Sequence, residues 1–562
     1  MLDLYRLLAE HPTPMLRAIA ASWQVALDEG DNVSAARQLG DAMLAPGALS
    51  RRLEALSAEA RETLSLLARE GGRASVKSLA LRSGELRRIG PAALERERPW
   101  EAPTSPLEEL YYNGLVFRGF GPLPGGHGEV LLVPREVLER LPAPTPIAAA
   151  LEHALAEPPA VVYDDGLALS EDILAVLCHL RRVQPSAEGM GHLTPPAWLG
   201  GEGPLAKRLV GPPYETRLTL LWRLLWRLKL IHAEQGRLTP ALAARDWLRA
   251  RDVARAGRLF RGWREDPHLV ELTQVPTLVC DPDGCPHDPT VPRRNLATFL
   301  RALQPSAWYS IEGLVQALKR HQPTFLRPDG DMNAWFIRDA TTEQYLRGPQ
   351  SWEAVEGQFA TYLFTGPLRW LGLVRLGGPT GGSPTTLALS TLGAAVLGKP
   401  LAPEAPRQRM PAQISPDGLI TVSLVNTASE RYQLERIAQW QGQDRVARYG
   451  LTEDTVWEGY NAGISVPRMV AFLTRIGGEL PPSLALRLQA WSGRFGRATI
   501  RQATLLVLAD EATAQDVLHD RKLSALISES LSPTMLVVRP GAVEELTAAL
   551  KAKGIWPQRL AH

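Results

Sequence analysis

Apolar residues recur at helical spacing through most of the chain, and in three places such helices lead into a short apolar strand, a turn and a second strand. In the first, Leu49, Leu53 and Leu56, then Leu64, Leu66 and Leu67, predict helices over 49–56 and 58–70, the second ended by Gly71-Gly72. A short helix over 76–81 follows. Ser105-Pro106 then opens the helix LEELYYNG, which runs into a strand over 115–117 and, past GPLPGGHG, a second over 130–133. In the second place, Ser170 stands as the cap of a helix over 171–182, a longer helix covers about 214–228, and LKLIHAEQGRLTPAL reads as strand, turn, strand. In the third, helices over 294–303, 311–321 and 352–370 precede LGLVRLGGPTGGSPTTLALS. Aligning GLVFRG, LKLIHA and LGLVRL gives one motif three times, an internal repeat with unequal insertions.

From about residue 412 the pattern changes. Strands are predicted over 419–424 and 446–451 with a helix over 429–440 between them, then three helical stretches over 452–495. Strands over 504–508 and 535–538 bracket a further helix, and 543–553 closes the chain. Loops rich in Pro and Gly at 141–160, 264–292 and 399–415 mark boundaries. Each repeat resembles a winged-helix module, and PMLRAIAASWQVALDEGDNVSAARQLGDAML resembles the helix–loop–helix of SAP-type DNA-binding motifs. The expected organisation is a multidomain, α-rich α+β chain: an N-terminal helical, SAP-like segment (1–45), winged-helix modules at 46–140, 160–263 and 293–399, and a small α/β domain at 412–562.

LSAEARETLSLLAREGG, SPLEELYYNGLVF, LTEDTVWEGYNAGISVPRMVAFLTRIGGELPPSLALRLQAW and LSPTMLVVRPGAVEELTAALKAKGIWPQ together resemble bacterial helicase-associated proteins grouped with the XPB helicase N-terminal domain. The match is an extended pattern of apolar, Gly and Pro positions. In the transcription and repair factor TFIIH that domain docks the helicase against a subunit built of winged helices. The resemblance therefore implies an XPB-N-terminal-like closing domain and, as partner, an XPB-like helicase or another protein subunit.

Composition narrows the picture little further. A chain of 562 residues exceeds the roughly 250–300 that one core sustains. Hydrophobic content of 45% and charged content of 22% predict a folded chain. Three cysteines fit a reducing compartment, so a cytoplasmic location is expected, and no run approaches the roughly 18 apolar residues of a membrane span. The net charge of +2 does not decide for or against DNA as partner.

Candidate chemistry is sparse. GAAVLGK, ending at Lys399, imitates a phosphate-binding loop, and LLVLADEA puts Asp510-Glu511 after an apolar run. Pro400, however, stands where the magnesium-binding hydroxyl belongs, so no helicase motor, no enzymatic activity and no cofactor are expected. Cys280, Cys285 and His287 form a compact cluster, a weak metal candidate because structural zinc takes four ligands and no second pair lies nearby. For DNA contact the candidates are the wing residues Arg118, Arg237 and Arg375, and Arg223 with Arg227, four apart on one helix face beside Lys229. Against them, Glu108, Glu109, Glu353 and Glu356 on the other third helices would repel phosphate, and Trp222 with Trp226 reads as core before it reads as a base-stacking platform. The expected function is a non-catalytic DNA-associated adaptor of an XPB-like helicase or a related transcription or repair complex. The alternative is a direct winged-helix DNA-binding regulator.

Overall fold

Side-chain caps fix the first helices: Asp3 accepts from the Arg6 amide at the start of Leu4–Ala9, and Asp31 from the Ser34 amide at the start of Asn32–Leu44. With Thr13–Ser22 they bury Leu4, Leu8, Leu16, Ile19 and Leu39 in a core shared with Tyr112 and Phe117. The structure, a computed structural model, describes residues 3–28, 30–69, 71–123, 126–141, 151–280, 285, 288–399 and 410–559. The chain forms two bodies, 1–452 with 475–479, and 453–474 with 480–562.

In the first body each copy of the repeated motif leads into an antiparallel hairpin: Phe117–Leu123 with Gly126–Leu132, Ile231–Glu234 with Arg237–Pro240, and Val374–Gly378 with Thr386–Leu389. The first hairpin adds Arg73–Ser75 as a third strand. The last is the centre of a four-stranded sheet whose outer strands are Val161–Tyr163 and Trp308–Ser310. A strand from the start of the second repeat thus pairs with the hairpin of the third. One apolar core accordingly runs from Leu151 to Leu397 around Trp222, Trp247, Trp263 and Trp352.

A second sheet in this body orders Gln413–Ile414, Leu419–Ser423, Val446–Gly450 and Gln439–Gln443, all antiparallel. Its helix, Ala428–Leu434, is tied to the helix Ala168–Val183 by a buried ion pair in which Arg431 donates to Glu171 at 2.5 and 2.7 Å. Arg208 pairs with Glu435 at 2.5 Å and lies over Trp440, and Arg181 lies over Tyr432 at 4.1 Å.

The second body begins with Glu453–Asn461 and Pro482–Ser492, joined through the helix Val466–Gly477, whose last turn belongs to the first body. A three-stranded antiparallel sheet follows, Thr504–Val507, Met535–Val538 and Ile527–Ser532 in spatial order. It packs Leu536 and Val538 on Val517, Leu546 and Leu550 of the helices Glu511–His519 and Val543–Ala552. Among the described residues no helix is long and apolar enough to cross a membrane.

Several local expectations give way. Ser170 caps nothing, because the helix begins at Ala168 and Ser170 is buried in its first turn. The stretch 352–370 is broken into a π-helical turn, Glu353–Gly357, then Gln358–Thr365 and Pro367–Trp370; Pro367 lacks the amide hydrogen and disfavours helical backbone at Gly366. The helix expected over 429–440 stops at Leu434, and Gln439–Gln443 is an edge strand in which Trp440 faces Tyr449. Ile527–Ser532 was not expected as a strand, since ISESLS is an edge strand that buries little beyond Ile527.

The acidic residues of the third helices are taken up internally. Glu108, fully buried, accepts from Arg87 Nε at 2.5 Å and from the Thr104 amide at 3.0 Å. Burial raises its pKa, but these hydrogen bonds outweigh burial and hold it at about 2, below the ordinary 4.5. A depressed folded pKa stabilises fully above the unfolded value and is lost as pH falls through the folded one. Acid titration followed by amide hydrogen exchange over 105–117 should therefore show protection falling between about pH 4.5 and 2, with Glu108→Gln flattening that dependence. Glu356 is likewise buried on Arg327 at 2.6 Å, Glu109 accepts from Ser57, and Glu353 pairs with Lys319. They offer phosphate less repulsion than their positions in the sequence suggest.

Candidate nucleic-acid interface

The helix Glu215–Arg227 is apolar on most of its circumference, so Leu218, Leu221, Trp222 and Leu225 are buried. Trp222 is entirely inside, its Nε1 donating to the Gly191 carbonyl at 2.9 Å. Trp226, one turn on, is half-buried and edge-on to Trp222 at 5.9 Å. The His192 ring lies 4.3 Å from its indole, inclined by 45°. The two tryptophans, read together from the sequence, thus divide: Trp222 is core and Trp226 is a wall. Lys229 adopts the left-handed backbone (φ 53°) that ends the helix and turns the chain into Ile231–Glu234.

Gly191–Thr194, Trp226, Arg227, Lys229, Arg223 and His268 enclose an open cleft of about 610 Å³. Arg223 forms its neutral floor, held by Asp266 in a bidentate pair at 2.5 and 2.9 Å, with both side chains nearly buried. Burial raises the Asp266 pKa, but the Arg223 hydrogen bonds and the His268 amide outweigh it and hold the carboxyl below its ordinary value. Among the described residues neither Arg227 nor Lys229 is ion-paired; Arg227 makes one contact, to the Glu265 carbonyl at 3.3 Å. Among the described residues Trp226 Nε1, which is buried, has no hydrogen-bond partner. Two exposed cations beside an indole and an imidazole present charge to an anion and flat surfaces to a planar ring. Arg223, expected as a phosphate contact, instead positions the cleft.

The three hairpin arginines do not share one role. Arg118 is half-buried and donates to the Leu86 carbonyl at 2.5 Å. Arg237 is exposed on its hairpin, with one bond to the Gln184 carbonyl at 3.0 Å. Arg375 is half-buried over the Trp308 ring at 5.4 Å. Sequence reasoning missed His192 and His268, which converge on the cleft from segments with no repeat or motif; the proximity of GMGHLTPP to the tryptophans exists only in the fold.

Gly393, Gly398, Lys399 and Asp510 have structural roles. In GAAVLGK a Cβ on Gly393 would collide with the Leu373 carbonyl, and Gly398 takes the left-handed conformation (φ 74°) that ends the helix Thr391–Val396. Lys399 Nζ donates to the Arg301 carbonyl at 2.9 Å and to that of Leu303. Pro400 lies outside the described residues. Asp510 caps Glu511–His519, accepting from the Thr513 amide at 2.8 Å. His287 lies outside the described residues; the Cys280 and Cys285 thiols lie 3.8 and 3.9 Å from the carbonyls of Leu272 and Phe336. Among the described residues no group of His, Cys, Asp and Glu is arranged to hold a metal ion.

A family model described as the helicase conserved C-terminal domain matches residues 413–532. The match begins at the first strand of the 413–450 sheet and continues to the end of the strand Ile527–Ser532, so this segment is similar to a domain of helicases. No curated protein matches the chain.

Proposed function

We propose that this chain is a non-catalytic, DNA-associated accessory protein of a helicase machine, built from winged-helix-like modules that chiefly make protein contacts and an XPB-N-terminal-like closing region that docks the motor. The observation that carries the reading is the burial of the helices that a groove-reading winged helix would expose. Leu107, Glu108, Leu110 and Tyr112 in the first, most of Glu215–Arg227 in the second, and Trp352, Val355, Glu356, Phe359 and Leu363 in the third all lie inside. The helicase-related match at 413–532 and the structural roles of Gly393, Gly398, Lys399 and Asp510 support it. Contact with DNA falls to the Trp226 cleft, which suits a single strand.

The test is binding of the full chain to labelled single-stranded, duplex and forked DNA across a salt series, with ATP hydrolysis measured in parallel. Trp226→Ala is expected to weaken single-strand binding about 5- to 150-fold, the value of one stacked base at about 1–3 kcal/mol. Arg227→Ala with Lys229→Ala should lower the log–log salt slope by about 1.4, two phosphate contacts at about 0.7 each. Absence of binding at low salt sinks the DNA part of the proposal, and DNA-stimulated ATP hydrolysis sinks the non-catalytic part. The exposed Arg237 favours a second reading, a direct duplex-binding regulator. Duplex binding lost in Arg237→Ala and kept in Trp226→Ala would establish that one instead.

A further inference from the structure

A second cleft, of about 390 Å³, lies in the N-terminal part of the first body, between the start of Thr13–Ser22, the loop before Pro91–Glu97, the end of Pro106–Tyr112 and the start of Phe117–Leu123. Its volume is at the lower end of the about 300–1,000 Å³ usual for small-molecule sites. Arg87, Arg88, Arg118 and His11 line it, and among the described residues no acidic side chain does. Arg87 is neutralised from behind by Glu108. Arg88 is paired only at the surface, with Glu129, where solvent screens the attraction. Among the described residues Arg118 has no carboxylate partner, and its Nε is buried without an acceptor. His11, stacked on Phe117 at 5.3 Å and edge-on to Tyr111 at 5.8 Å, likewise has a buried Nε2 with no partner. Met15, Ile89, Pro91 and Leu94 give the cleft an apolar part of its wall.

An uncompensated guanidinium, a second one held only at the surface, and two buried ring or guanidinium nitrogens lacking partners describe a site that an anion would complete. Guanidinium groups bind phosphate oxygens in pairs, and the apolar wall offers a flat organic body its own surface. We propose that this cleft binds a phosphomonoester of nucleotide size, its phosphate on Arg88 and Arg118 and its body against Met15, Ile89 and Leu94. The phosphomonoester is either a free mononucleotide or the 5′-phosphate end of a nucleic-acid strand. This site stands apart from the Trp226 cleft and does not rest on it.

The test is isothermal titration of the full chain carrying Trp226→Ala, so that the other cleft contributes little. The probes are adenosine monophosphate, adenosine, and one short oligonucleotide with a 5′-phosphate or a 5′-hydroxyl. The phosphorylated member of at least one pair should bind about tenfold or more tighter than its partner, and Arg118→Met should remove that difference. Because Arg118 also bonds the Leu86 carbonyl, the exposed Arg88→Ala serves as the second variant and should cost about threefold or more. A preference for the mononucleotide, or for the phosphorylated strand, identifies the source. Equal binding with and without phosphate, no binding at millimolar concentration, or no effect of Arg88→Ala would overturn the assignment.

Discussion

Replacing Arg293 by alanine is expected to lower the unfolding free energy of the first body by about 3–5 kcal/mol, measured as a shift of its urea transition. The Arg293 guanidinium is fully buried, meets Glu271 at 2.5 and 3.0 Å, and donates to the carbonyls of Trp263 at 2.7 Å, Asp266 at 2.6 Å and Leu269. Among the described residues, removing it leaves the buried Glu271 carboxylate with the Trp263 indole alone, at 2.6 Å, and takes a donor from three carbonyls, of which that of Trp263 keeps the Asp266 amide at 3.2 Å. The Asp266 carboxylate braces Arg223, so the variant should also loosen the floor of the Trp226 cleft, seen as faster amide exchange over 264–270. Arg293→Lys should recover little, because one ammonium cannot reproduce a planar fork that serves acceptors on several sides. A loss below about 1 kcal/mol would mean that this hub is not the brace described.

The second large effect belongs to the ion pair between Arg431 and Glu171. Arg431→Ala should destabilise by about 3–5 kcal/mol, and so should Glu171→Ala, because each leaves the other charge buried and unpaired. The double variant Glu171→Leu with Arg431→Met should be milder than the sum of Glu171→Leu and Arg431→Met measured singly, by a coupling of about 1–3 kcal/mol read from that double-mutant cycle. Strict additivity would count against the contact. Burial raises the Glu171 pKa, but the charge and hydrogen bonds of Arg431 outweigh it and hold the carboxyl below 4.5. The stabilisation is therefore complete at neutral pH and lost as pH falls below about 4.5 toward the folded value; the Leu/Met variant should lack that dependence.

Legibility in the sequence followed the range of the interactions. The three hairpins were legible because GLVFRG, LKLIHA and LGLVRL carry their own apolar alternation and turns, whereas Asp510, read beside Glu511 as an imitation of an acidic motif, is the cap of Glu511–His519. The pairing of Val161–Tyr163 with Val374–Gly378 was not, since no local signal records which strand meets which at that separation. Arg217, Arg255, Arg293, Arg327 and Arg431 are all buried on carboxylates, yet in sequence each looks like solvent-facing charge. Arg223 was misplaced for the same reason: its face of the helix was readable, but Asp266 arrives from 43 residues away. Arg227 was legible as a candidate surface residue, Trp226 was read as core before surface, and His192 and His268 were supplied by loops whose course only the fold determines.

The chain passes between the two bodies three times, near 452, 474 and 479, and the turn 475–479 returns to the first. There the Ile476 carbonyl accepts from Ala412 at 2.9 Å, and Gly477 sits close enough to Ile414 that a Cβ would clash. A module added at a chain end needs one junction; this arrangement needs all three at once. A cut at any single one of these points would leave part of one body on the wrong side of the break, so the two bodies are expected to have been inherited together, and a comparison of genomes should find neither half travelling alone.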